Sequence, residues 1–354
     1  MPKNIIIFSD GTGQEGGVGN NTNIYKLFNI IEDRTDRQIA FYDRGLGTGL
    51  YRLLGSLGGF GISRNIKDCY RFIFENFNAG DQIYLLGFSR GAATVRSLSS
   101  FIHYFGILPK SRPELIDQAY KIYKTNNEKK RNSLASTFIK KHHTMWARIR
   151  FLGCYDSVAA LGLPWKGVSA ILDYTPLFKH KFHNFRLSEC VENAYQALAI
   201  DDQRKAFHPI LWDINCANYQ HIRQVWFCGM HTDVGGGYAE QGLSDIPLTW
   251  LTDMSVRNGL HIYAGDQAGI CENINDTMHD SRGTKITRLI YTKQQRYWDK
   301  NRTDKPVVHE SVLQRSLDQH NNSEKPYQTW ILNDNHDIEP WIKYEQQTWN
   351  NKNK

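Results

Sequence analysis

The chain has 354 residues, 40% of them hydrophobic and 22% charged, with 10 prolines and a formal net charge of +7. That length carries one large α/β domain or two smaller ones, and that composition excludes a collagen-like, low-complexity or wholly disordered chain. No segment approaches the ~20 consecutive apolar residues of a membrane-spanning helix, and the mild basic excess tolerates an anionic partner without demanding nucleic acid, so no nucleic-acid partner is expected.

Residues 5–9 are an apolar run stopped by Asp10-Gly11-Thr12-Gly13, which predicts a buried strand ended by a turn. A run this short, entering a turn at once, is a first strand and no signal peptide, so the expected location is cytoplasmic, with signal-independent export left open. Asn21 or Thr22 caps a helix whose Ile24, Leu27, Phe28 and Ile31 share one face. Residues 38–43 read as a second strand. A glycine-rich loop, 45–61, carries Leu50, Leu53, Leu54, Leu57 and Phe60. Next comes a helix with Ile62, Ile66, Cys69, Ile73 and Phe77 on one side. After the Ala79-Gly80-Asp81 turn, Ile83-Tyr84-Leu85-Leu86 is apolar on both faces, as a central parallel strand is. A helix follows from Arg90. Residues 107–146 form a polar helical excursion, treated as an insertion. In it Lys129, Lys130, Arg131, Lys140, Lys141, His142 and His143 flank Leu134, Phe138 and Ile139; this basic helix face is either simply solvated or suited to peripheral contact with an anionic membrane. Residues 149–155 and 225–229 predict two further buried strands. Beyond Gly259 the chain is polar and weakly periodic, with Trp298, Trp330, Trp341 and Trp349 scattered along it. The six cysteines show no CxxC pairing and read as reduced structural thiols.

Gly87-Phe88-Ser89-Arg90-Gly91 is a G-x-S-x-G sequence lying directly between a buried strand and a helix. The bare pattern occurs by chance in roughly one chain of this length in ten; its position is what gives it meaning. A nucleophilic serine must stand on a strained strand-to-helix turn, and glycines two residues before and after leave room for the neighbouring backbone. The helix then offers its first N–H groups and positive dipole end to an oxyanion. Arg90 is the expected backbone donor, and Asp10-Gly11-Thr12 the expected second oxyanion loop. The alternative is a tight turn with a capping serine.

Such hydrolases order their groups as Ser, then Asp or Glu, then His, each at a strand's carboxyl end. Asp156 and His231 stand in that order, Asp156 after the strand at 149–155 and His231 at the head of His231-Thr232-Asp233-Val234-Gly235-Gly236-Gly237. Asp233 is the alternative acid. Asp10, Asp156, His231 and Asp233 gathering round a divalent cation is a further reading, although no spacing matches a ligand motif, and neither metal nor cofactor is expected.

The strings FSDGTG, TNIYKL, GDQIYLLGFSRGAATVRSL, FLGCYDSVAALG, ALAIDDQRKAFHPILW, VWFCGMHTDVGGGY and HESVLQR resemble an uncharacterised α/β-hydrolase domain-of-unknown-function family that includes bacterial type VI secretion phospholipase effectors. The resemblance runs from residue 5 to about 315. It implies a phospholipase whose Ser-Asp-His triad falls on Ser89, Asp156 and His231, and a lipid substrate, which a triad alone never shows. The expected fold is thus an α/β-hydrolase-like domain over residues 1–315, with a mostly parallel central sheet, helices on both faces and a helical insertion at about 107–146; residues 316–354 are a C-terminal extension packed on or trailing from the same domain. Leu163, Trp165 and Ile171, among the apolar residues after the proposed acid, are the expected lipid rim. The competing functions are a soluble carboxylesterase or thioesterase, and a non-catalytic module whose DGTG and DVGGG amides cradle an anion.

Overall fold

Four consecutive large apolar residues, Ile5 to Phe8, make β1 (Asn4–Ser9) a strand with no exposed face. Alternation sends Ile5 and Ile7 into one hydrophobic layer and Ile6 and Phe8 into the other. The computed structural model describes residues 2–11, 16–17, 19–33, 35–45, 60–158, 186–263, 269–318 and 326–343. β1 lies in an eight-stranded sheet with β2 (Gln38–Asp43), β3 (Gln82–Phe88), β4 (Ile149–Tyr155), β5 (Val191–Ala199), β6 (His221–Phe227), β7 (Val307–His309) and β8 (Asp337–Glu339). The order is β2-β1-β3-β4-β5-β6-β7-β8, and every pairing is parallel. The protein is therefore α/β with an α/β-hydrolase-like sheet.

The chain winds outward from β1 in both directions, first to β2 and then, past β1, to β3. That reversal falls between β1 and β3, and it is outside the carboxyl ends of strands at such a point that α/β proteins place their ligands. Helices cover both faces. On one side α2 (Phe60–Asn76) and α3 (Arg90–Phe105) pack with α4 (Leu115–Tyr123) and α5 (Glu128–His142). On the other lie α1 (Asn23–Ile30), capped by Thr22 Oγ1 accepting from Tyr25 N at 3.2 Å, and the later helices α6 (His231–Gly235) and α7 (Gly242–Arg257). Two shorter helices, α8 (Lys285–Ile290) and α9 (Glu310–Leu317), follow.

The structure corrects the sequence reading in several places. The 107–146 excursion is helical as expected, but less polar than it reads: Leu115, Ile116, Ala119, Tyr120, Tyr123, Ala135 and Phe138 are buried in the same core as α3. The strand expected at 225–229 starts earlier, at His221, and ends at Phe227, leaving Cys228 and Gly229 in a turn that needs Gly229 at φ +99°. The polar tail contributes β7 and β8, so residues 337–339 belong to the sheet. Leu163, Trp165 and Ile171, like Thr12 and loop residues 46–59, lie outside the described residues. All six cysteines are free, four of them buried. Among the described residues no helix is long and apolar enough to cross a membrane.

Candidate active site

β3 runs into α3 through Ser89, whose φ of 57° and ψ of −119° are costly for any residue with a Cβ. What imposes the turn is crowding on either side. A Cβ at Gly87 would lie 2.6 Å from the Gly91 carbonyl group, and one at Gly91 would lie 1.9 Å from the Ser9 carbonyl oxygen of β1. The Ser89 amide is fixed by the Tyr155 carbonyl at 3.1 Å. Its hydroxyl makes no helix-capping hydrogen bond, which removes the capping-serine reading.

The hydroxyl faces histidine. His231 Nε2 lies 2.8 Å from Ser89 Oγ, and His231 Nδ1 lies 2.6 Å from Asp156 Oδ2. Because Asp156 is a carboxylate, Nδ1 carries the proton and donates to it, so Nε2 accepts from the serine. Asp156 is wholly buried, His231 is 5% exposed and Ser89 9% exposed, so the chain of hydrogen bonds opens towards solvent at its serine end. Asp156 is itself held in left-handed backbone geometry, φ 41°, with its amide on Ala197 O at 2.7 Å.

His231 is fixed from all sides. Its ring lies 4.7 Å from the Phe88 ring and 5.1 Å, edge-to-face, from Phe207. Its backbone N–H donates to Asp202 at 3.3 Å, and Asp201, from the same end of β5, accepts from Gly229 N at 2.7 Å. Gly235 explains part of the glycine-rich string, since a Cβ there would strike the Phe88 ring at 2.0 Å.

The other candidates separate. Asp233 does not reach the His231 ring: it accepts from Met230 N at 3.0 Å and pairs with His279 Nδ1 at 2.6 Å, staking down the turn that carries His231. Asp10 points away from the serine, accepting from Thr22 and Tyr42 hydroxyls at 2.6 Å each and from the Gly11 amide at 2.6 Å. That last bond corrects the oxyanion expectation at one atom, because the Gly11 N–H is already engaged; Gly11 borders Ser89 but is not a ready donor. Arg90 is the first residue of α3. Asp156 and His231 meet, whereas Asp10 and Asp233 bond to other partners, and the described residues hold no group of three or more His, Cys, Asp or Glu side chains arranged for a metal. The basic α5 ends close to the start of β4, at the opposite edge of the sheet from Ser89.

Sequence reasoning missed Arg296. Its guanidinium is buried and grips both Asp156 oxygens, Nη1–Oδ1 at 2.6 Å and Nη2–Oδ2 at 2.8 Å, while also donating to Ala199 O and Phe207 O. Nothing local in the QQRYW stretch signals this, because the partner lies in a distant strand. Burial works against the Asp156 carboxylate, yet the Arg296 charge and the hydrogen bonds outweigh it and hold the group well below the usual carboxylate range.

Asp10 behaves oppositely. Burial, only partly offset by Thr22, Tyr42 and Gly11, pushes its carboxyl from 3.8 up to about 6. A raised folded value means that the stability this group contributes is fully present below its unfolded value and is lost as pH rises through about 6. Relative to Asp10→Asn, the wild type should therefore lose about 2–3 kcal/mol between pH 4 and pH 7.5. Urea unfolding of both proteins across that range checks this, and a pH-independent gap between them would rule it out.

The profile described as "T6SS, Phospholipase effector Tle1-like, catalytic domain" matches residues 3–254. The uncharacterized protein YEL023C of Saccharomyces cerevisiae is 30% identical over 230 residues, covering 58% of this chain and 32% of that protein, so the chain spans about a third of that relative's length. Among solved structures, an uncharacterized protein from Pseudomonas aeruginosa is 15% identical with a TM-score of 0.43, over 77% of this chain and 50% of that one. The Tle1 effector bound to the VgrG spike of the type VI secretion system is 19% identical with a TM-score of 0.37, over 68% of this chain and 52% of that one. This chain belongs to the family of type VI secretion phospholipase effector Tle1-like catalytic domains.

Proposed function

We propose that the protein is a serine ester hydrolase of phospholipase A type, acting through Ser89, His231 and Asp156 and a covalent acyl-enzyme. The observation that carries this reading is the continuous hydrogen-bond chain from Ser89 Oγ through both ring nitrogens of His231 to Asp156. In the proposed reaction His231 Nε2 takes the Ser89 proton as Oγ bonds to the acyl carbon. The carbonyl oxygen becomes an oxyanion facing the Arg90 N–H and the positive end of α3. As the ester C–O bond breaks, the imidazolium returns its proton to the leaving glycerol oxygen of the lysolipid. Water, deprotonated by the same nitrogen, then attacks the acyl-serine and frees a fatty acid.

The lipid part of the proposal rests on the family. It is supported by the Arg90 side chain, half-buried next to the nucleophile; burial lowers its pKa only to about 10, so it stays cationic and suits a lipid phosphate. Signal-independent export belongs to the same proposal, because the family is named for secreted effectors.

Mixed vesicles of phosphatidylethanolamine and phosphatidylglycerol should release fatty acid and lysolipid in equal amounts, and a fluorophosphonate probe should label the protein at Ser89. Turnover of short-chain esters with intact vesicles would assign a soluble esterase instead. No labelling under conditions that label a known serine hydrolase would reject catalysis by serine.

A further inference from the structure

We propose that Arg296 is a positioning residue of this hydrolase, locking the Asp156 carboxylate in the plane that aims His231 at Ser89 and offsetting the acid's charge. The inference rests on the hydrolase reading and deepens it. It also extends the working site beyond residue 254, where the family profile ends.

The geometry is specific. His231 holds only one oxygen of the Asp156 carboxylate, so the plane of the group depends on how firmly the rest of it is held. Here Oδ1 receives Arg296 Nη1 at 2.6 Å and the Ala199 amide at 3.0 Å, whereas Oδ2 receives Arg296 Nη2 at 2.8 Å and His231 Nδ1 at 2.6 Å. Two parallel N–H···O bonds from a planar guanidinium fix a plane, which a lysine cannot do. Arg296 is anchored in turn by the Ala199 and Phe207 carbonyls. The segment carrying it is tied to the strand-end loop by Lys205 N to Thr292 O at 3.0 Å and Gln294 N to Gln203 O at 2.9 Å. One loop, residues 199–207, therefore holds both the arginine and, through Phe207 and Asp202, the histidine.

The electrostatic consequence follows from sign alone. Arg296 sets a positive charge against the Asp156 carboxylate that faces the His231 ring, and so opposes the attraction that the acid exerts there. The other charged and titratable groups around the pair are Asp201 and Asp202 at the end of β5, Arg204 paired with Asp202, His208, and the Asp233–His279 pair on the turn of His231. Asp202 is neutralised by Arg204 at 2.6 Å and Asp233 is engaged by His279, which leaves Arg296 as the dominant charge on Asp156.

Arg296→Lys and Arg296→Gln, assayed on a short-chain ester with fluorophosphonate labelling in parallel, test this. The Lys variant keeps the charge and loses the plane: kcat should fall about 10-fold with KM unchanged, and the acid limb of the pH–rate profile should stay in place. The Gln variant loses both, so kcat should fall about 100-fold and the acid limb should move up by about one pH unit, because the uncompensated Asp156 now favours the imidazolium. If the Gln variant does not fold, the Lys variant decides: wild-type kcat and labelling rate in Arg296→Lys overturn the positioning role. An acid limb unmoved in a folded Gln variant overturns the charge role. A wild type that neither turns over ester nor labels removes the hydrolase reading itself, and this inference with it, whereas an active wild type with indifferent variants removes only the inference.

Discussion

Ser89→Ala is expected to lower ester turnover by about ten-thousand-fold or more while leaving the protein folded, because in the proposed triad the nucleophile, the base and the acid act as one unit. The hydroxyl's bond is to His231 Nε2, and its loss leaves that nitrogen without this partner, a cost of about 1 kcal/mol. Alanine does not relieve the backbone, which stays at φ 57° whether the side chain is CH2OH or CH3. Ser89→Gly does relieve it, so an equally inactive glycine variant should unfold at higher urea than the alanine variant, by about 1 kcal/mol. Steady-state turnover with urea titrations of the three proteins measures both effects. Turnover within tenfold of wild type in Ser89→Ala would place the nucleophile elsewhere.

Asp156→Ala should fail in a different way. It removes the partner of His231 Nδ1, and with it the correct tautomer, so activity should drop to a level comparable with Ser89→Ala. It also strands the Arg296 guanidinium without a counter-charge in a fully buried site, which costs about 3–5 kcal/mol. Against the typical 5–15 kcal/mol of a folded domain that is a large fraction. The sign of the pH effect is fixed as well. The folded carboxylate is depressed, so its contribution is present above the unfolded value near 3.8 and is lost as pH falls below it; the stability gap between wild type and Asp156→Ala should close in acid. An Asp156→Ala protein as stable as Ser89→Ala at pH 7 would contradict the arrangement around Arg296.

Much of this architecture was legible in the residues because central parallel strands are short, continuous apolar runs bounded by turns. Residues 83–86 and 149–155 could hardly be anything else. The end of β6 was misplaced because Cys228 and Gly229 prolong an apolar run although the backbone has already turned. α7 went unseen because it is buried nearly all round, which erases the polar face that marks a helix, and because Pro247 lies inside it. β7 and β8, three residues each, are too short for a period to register. Of the side chains that meet at the candidate site, Ser89, Asp156 and His231 could be named from turns and strand ends, which are local signals. Arg296 and His279 could not, since each is defined only by a carboxylate more than forty positions away in the chain.

The contact between Gly91 and the Ser9 carbonyl bears on how relatives of this chain should be interpreted. The space at position 91 is filled by β1, so the architecture demands that glycine whether or not any ester is ever cleaved. A descendant that had lost its chemistry would keep both glycines and still look like an enzyme in an alignment. Only the paired fate of the hydroxyl at 89 and the imidazole at 231 would betray a retired catalyst.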